Sequence, residues 1–217
     1  MFTLQLKQIK VLPGQRVQFV DVSWEDFEII LEQLGEHRAS RIAYYQGVLE
    51  IRMPLPEHEK IKILIGRLLT LVLDELEMEW DCLGSTTFKS KQMMAGIEPD
   101  DCFYIQNSQA MIGKKRFDFA TDTPPDLILE IDLTSRTQIS AYEALRVPEI
   151  WRLEKGKLEI YLLRDGEYVQ SETSLNIPNF PIKEAITQFV EISDTAPIST
   201  VLKAFRKWVR EKIDTAS

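Results

Sequence analysis

Residues Asp126 to Leu133 read Asp-Leu-Ile-Leu-Glu-Ile-Asp-Leu, an apolar run of strand length with one carboxylate, Glu130, at its middle. A strand apolar on both faces belongs inside a sheet covered on both sides, which puts Glu130 among buried groups. A buried carboxylate is unfavourable unless something pairs with it. An acidic dipeptide, Asp100-Asp101, stands ahead of a second apolar run. Alternation along a regular strand sends these two to opposite faces, so only one of them can meet Glu130. Two acids converging from neighbouring strands match a hard divalent cation, which takes oxygen ligands and offsets both charges.

The rest of the chain supports one α/β or α+β domain spanning 1–217, with no repeat, linker or composition break. Pro13-Gly14 separates two weak strands, one carrying Phe2, Leu4 and Leu6 and the other Val17 and Phe19. Ser23 and Asp26 open a helix that carries Phe27, Ile30, Leu31 and Leu34 on one face and stops at Gly35. Residues 41–53 alternate about Gln46-Gly47 as a hairpin. From Glu57, apolar residues recur at helical spacing to Leu76, for about six turns. Short strands are expected within 79–104, joined by a Met-rich link ending at Gly96, and a short helix before Pro148. A three-strand meander is expected over 149–172, and an amphipathic helix over 198–212 closes the chain.

A net charge of -8 gives no general attraction to phosphates, which argues against a protein that simply coats nucleic acid. Lys89 and Lys91 on one strand face, and the run Lys114-Lys115-Arg116, are the local exceptions, and solvated surface explains both. Cys82 and Cys102 lack zinc or redox spacing and read as small core residues. With no signal-like segment and no apolar run of membrane length, a cytoplasmic protein is expected.

Nucleotide-binding glycine loops and the G-x-S-x-G elbow are missing, and the only histidines are His37 and His58. Paired carboxylates with a metal remain. Asp100 and Glu130 would hold Mg2+ or Mn2+, with the main-chain carbonyl of Ile131 and waters completing the shell. Glu57, His58 and Glu59 lie in the first turn of the long helix, where the macrodipole favours acids. That placement alone accounts for them, and the functional alternative has Glu57 or His58 facing the acids. Asp126 and Asp132 read as strand-end caps, and Tyr142 and Trp151 as core.

The order hairpin, long helix beginning near a His, Glu-Pro-Asp-Asp, LEIDLTSRT, then a Tyr-bearing helix followed by Val-Pro-Glu-Ile-Trp resembles the Uma2 family over about 41–163. These are restriction endonuclease-like proteins of the PD-(D/E)xK class. The resemblance implies a mixed central sheet flanked by helices, here with an added N-terminal helix and hairpin. It implies Asp100 and Glu130 as the two acids, a DNA substrate and a homodimer that cuts both strands. The usual lysine two residues after the second acid is replaced by Asp132. A lysine four residues before the tyrosine serves many relatives, and that position is Gln138 here. Glutamine can orient a water but brings no charge, so Arg136, Lys60 or Lys62 would have to supply it. The rival expectation is a non-catalytic relative acting as a nucleic-acid or protein interaction module. A hydrolase of another phosphoester is a third reading.

Overall fold

The computed structural model describes residues 8–35, 38–115, 117–118, 121–133 and 139–216. The first strand, β1 (Arg16–Phe19), leads into α1 (Trp24–Leu34), whose N-terminus is capped by the Ser23 hydroxyl accepting from the Asp26 amide. Strands β2 (Arg41–Tyr45) and β3 (Val48–Arg52) form the expected hairpin. Both turn residues, Gln46 and Gly47, adopt positive φ, as a two-residue turn between right-twisted strands requires. Helix α2 (Pro56–Glu75) starts on a proline whose missing N–H would have no helical partner there. Then follow β4 (Asp81–Cys82), β5 (Phe88–Ser90), β6 (Ala95–Ile97), β7 (Asp101–Tyr104), β8 (Leu127–Asp132) and the short α3 (Ser140–Ala144). The meander β9 (Glu149–Glu154), β10 (Lys157–Arg164) and β11 (Glu167–Ser171) precedes α4 (Ile182–Ile192) and α5 (Ile198–Ala216).

Two sheets result. One is antiparallel, in the order β1-β3-β2-β6-β5. The other, β11-β10-β9-β8-β7-β4, is mixed, with β8 and β9 parallel and the other pairs antiparallel. All six residues of β8 are buried because this strand has a neighbour on each side and cover on each face. Leu127, Leu129 and Ile131 point into a core shared with α2, α4 and α5, while Ile128 on the opposite face packs with Ile97, Tyr142 and Ile150. Glu130 alternates to this second face, between the two sheets.

The hairpin is therefore not an appendage to the mixed sheet. It is the middle of a second sheet, whose far face packs Ile42, Tyr44 and Leu49 against Trp24 and Phe27 of α1. Phe27 stacks on Tyr44 at 4.6 Å, and a Cβ at Gly96 would stand 2.7 Å from the Phe27 ring. Glycine at 96 is what lets α1 seat on β6. The Met-rich link itself contains β6, a strand not expected from its composition. Helix α4 was also not expected, although Ile182, Ala185, Ile186, Phe189 and Val190 recur at helical spacing and are buried. The expected N-terminal strand with Phe2, Leu4 and Leu6 lies outside the described residues.

Asp126 does cap a strand end, accepting the amides of Ile105 and Asn107 at 2.7 and 2.9 Å. Lys89 and Lys91 pair with Glu28 and Glu25 of α1, each at 2.8 Å, which agrees with a solvated strand edge. Cys82 donates to Asp101 and Cys102 to the Gly84 carbonyl, and burial raises both thiols, Cys82 to about 12. Neither is a reactive thiolate. No helix among the described residues is long and apolar enough to cross a membrane.

Candidate active site

Asp100 comes from the residue just before β7, Glu130 from the middle of β8, Arg52 from the end of β3 and His58 from the first turn of α2. Asp100 and Glu130 are fully buried. Antiparallel pairing of β7 with β8 sets Asp101 opposite Leu129, and the same register continued by one residue brings Asp100 opposite Glu130. The Ile131 amide then donates to Asp100 Oδ2 at 2.8 Å. Asp101 faces the other way, towards Cys82 and Gly66 of α2, as alternation requires.

His58 Nε2 lies 2.8 Å from the same Asp100 oxygen. Asp100 is ionised and can only accept, so Nε2 carries the proton and donates. Nδ1 of His58 is buried and makes no hydrogen bond among the described residues. The opposite oxygen, Asp100 Oδ1, is 3.4 Å from Arg52 Nη2. That same nitrogen donates to Glu130 Oε2 at 2.8 Å, while the Tyr142 hydroxyl on α3 donates to Glu130 Oε1. Behind them Asp132 pairs with Arg152 Nε at 3.0 Å and stands 3.9 Å from Arg52 Nη1.

The charges explain the titration of the cluster. Burial opposes ionisation of Asp100, but Arg52, His58 and the Ile131 amide outweigh it and hold the carboxyl below the usual range. Glu130 is pushed up to about 7, first by burial, which Arg52 offsets only in part, and then by the neighbouring Asp100 and Asp132 charges. Burial works against the charge on Arg52, yet Glu130 and Asp100 more than restore it, so the guanidinium stays protonated.

Of the residues singled out in the sequence, the structure brings together Asp100, Glu130, His58 and Ile131. Ile131 contributes an amide donor to Asp100. Glu57 is exposed on the helix surface and does not join them. Gln138 and Arg136 lie outside the described residues. Lys62 pairs with Glu59 at 2.7 Å and Lys60 approaches the Ser193 carbonyl at 3.5 Å, so neither supplies the missing cation. Among the described residues the cation that meets both acids is Arg52, which the sequence did not single out. Asp132 is no simple strand cap but part of an ion-pair network. Tyr142 is core as expected, and its hydroxyl also reaches Glu130.

A cavity of about 30 Å3, room for one water, adjoins the cluster and is walled by Gln15, Arg52, Leu55, His58 and Leu133 among others. Among the described residues no group of three or more His, Cys, Asp or Glu side chains is arranged to hold a metal. The donor set is instead the two-carboxylate kind that Mg2+ accepts, with water and main-chain oxygen making up the rest. Its chemistry fits: one oxygen of each carboxylate is held by protein donors, and Asp100 Oδ1 and Glu130 Oε2 turn towards one point.

The fold and site define a mixed α+β protein with a braced carboxylate pair between two sheets. The chain belongs to the Uma2 family, whose model, described as "Putative restriction endonuclease", matches residues 24–193. That match extends beyond the 41–163 expected from the motifs. Among solved structures, a putative nuclease belonging to DUF820 from Anabaena variabilis is similar, with 14% sequence identity and a TM-score of 0.45. The likeness covers 85% of this chain and 97% of that one. A comparison with curated proteins found no match.

Proposed function

We propose that this protein is a divalent-metal-dependent endonuclease that hydrolyses DNA phosphodiester bonds. The observation that carries the reading is the convergence of Asp100 Oδ1 and Glu130 Oε2 on a single point 2.8 Å from one and 3.4 Å from the other, where Arg52 Nη2 now lies. Membership of a family named for restriction endonucleases supports the reaction class. Asp100 and Glu130 would hold Mg2+ or Mn2+, with the Ile131 carbonyl as a further oxygen. The ion would lower the pKa of a bound water and offset charge on the phosphate oxygens.

The chain's own residues would do the rest. His58 and the Ile131 amide fix the orientation of Asp100, and Tyr142 fixes that of Glu130. Gln138 would orient the attacking water as a neutral donor and acceptor. Cleaving both strands of a duplex calls for two centres, which a two-fold dimer would supply.

One observation favours a second reading. Arg52 already offsets the buried acids, so their retention does not by itself require a metal, and a non-catalytic interaction module could keep them for stability. Supercoiled plasmid incubated with Mg2+ or Mn2+ separates the two. Nicking by the wild type that disappears in a folded Glu130→Ala variant supports the nuclease. Cleavage only by Gln138→Lys identifies a disabled nuclease scaffold, and binding without cleavage by any variant supports the module.

A further inference from the structure

The two carboxylate oxygens that face each other across the site share one nitrogen. Arg52 Nη2 is 2.8 Å from Glu130 Oε2 and 3.4 Å from Asp100 Oδ1. A Mg2+ ion bound to both oxygens would need contacts of about 2.0–2.1 Å to the same two atoms that Nη2 now faces, and its charge beside the guanidinium would be repelled. We infer that Arg52 and a divalent cation are mutually exclusive occupants of the acid pair, so that the chain carries its own counter-ion in the metal position and Arg52 sets how tightly metal binds. This rests on reading Asp100 and Glu130 as the metal ligands.

Four features of the cluster carry the inference. Arg52 belongs to β3 of the antiparallel sheet while its partners lie on β8 and just before β7 of the mixed sheet, so the guanidinium is carried by neither strand that bears an acid. Its side chain is 14% exposed and both acid side chains are 0% exposed, so an ion from solvent meets Arg52 before it meets the carboxylates. The small cavity between Gln15, Leu55, His58 and Leu133 is lined by Arg52 as well. The positions of the acids do not depend on Arg52 alone. His58, the Ile131 amide and Tyr142 grip their rear oxygens, so the pair stays formed when the guanidinium withdraws.

The test is Mn2+ binding, followed by calorimetry and by the paramagnetic resonance of free Mn2+, in the wild type, Arg52→Met, Arg52→Gln and Arg52→Met/Glu130→Ala. The expected result is affinity at least tenfold tighter in Arg52→Met and Arg52→Gln than in the wild type, lost in the double variant. Mn2+ should also raise the melting temperature of the single variants more than that of the wild type. Arg52→Gln is read in the same way if Arg52→Met does not fold. Equal affinity in wild type and single variants, still abolished by Glu130→Ala, would overturn the exclusion and leave the metal site standing. No Mn2+ binding by any folded variant would overturn both.

Discussion

Arg52 Nη2 lies 2.8 Å from Glu130 Oε2, and through this contact β3 of the antiparallel sheet grips β8 of the mixed sheet. Removing one partner of a buried ion pair leaves the other charge uncompensated. Arg52→Ala, with a chelator present, is therefore expected to lose about 3–5 kcal/mol of stability. Urea unfolding measures it, and a loss below about 1 kcal/mol would show that the acids do not rely on this guanidinium.

Tyr142→Phe keeps the ring in the core and deletes the hydroxyl that donates to Glu130 Oε1. A buried carboxylate oxygen then lacks that donor, for an expected loss of about 1–3 kcal/mol. Unchanged stability would mean that the hydroxyl is replaceable by water.

The backbone at Gly96 is pressed by Phe27, 2.7 Å from where a Cβ would sit. Gly96→Ala should cost about 1–3 kcal/mol through overpacking. Phe27→Leu in the same chain should recover part of that cost, seen as coupling in a double-mutant cycle. Strict additivity would place the strain elsewhere than in this contact.

Glu149 accepts from the Trp151 indole at 2.6 Å, the Leu175 and Asn176 amides at 2.9 and 3.2 Å and the Asn176 side chain at 2.9 Å. Burial nonetheless raises its carboxyl pKa, outweighing the donors of Ser174, Trp151 and Asn176. Folding thus favours the protonated form. The resulting stabilisation is complete below the unfolded value near about 4.3 and is lost as pH rises through the raised folded value. Glu149→Gln cannot ionise, though its amide nitrogen would face N–H donors. The melting-temperature advantage of the wild type over Glu149→Gln should shrink as pH rises from 4 to about 8. A constant or growing advantage would contradict this.

Much of the fold was legible because local patterns and tertiary cover agree. The run around Glu130 was apolar on both faces and became an inner strand. The hairpin had its turn at Gln46-Gly47, and α2 its long helical periodicity. The carboxylates stood out as charges where charges are disfavoured. Arg52 did not, since in isolation it is a charged residue alternating with Ile51 and Met53, and one face of a hairpin ordinarily meets water. Tertiary packing is what pairs Arg52 with Glu130 of the mixed sheet and buries Glu50, two residues before it, against Arg16 and Gln18. Strand β6 was hidden for a related reason: three residues, one of them a glycine, carry no period, and pairing with β2 and β5 creates the strand. Helix α4 carries a readable helical pattern in Ile182, Ala185, Ile186, Phe189 and Val190.

One point between Asp100 and Glu130 is proposed as a cation position, held by Arg52 in this structure. Anomalous diffraction from crystals soaked in Mn2+ addresses it most directly. The expected result is a manganese peak between Asp100 and Glu130, with the Arg52 guanidinium moved outwards. An Arg52 side chain still bound to both acids, with no peak between them at saturating Mn2+, would contradict it.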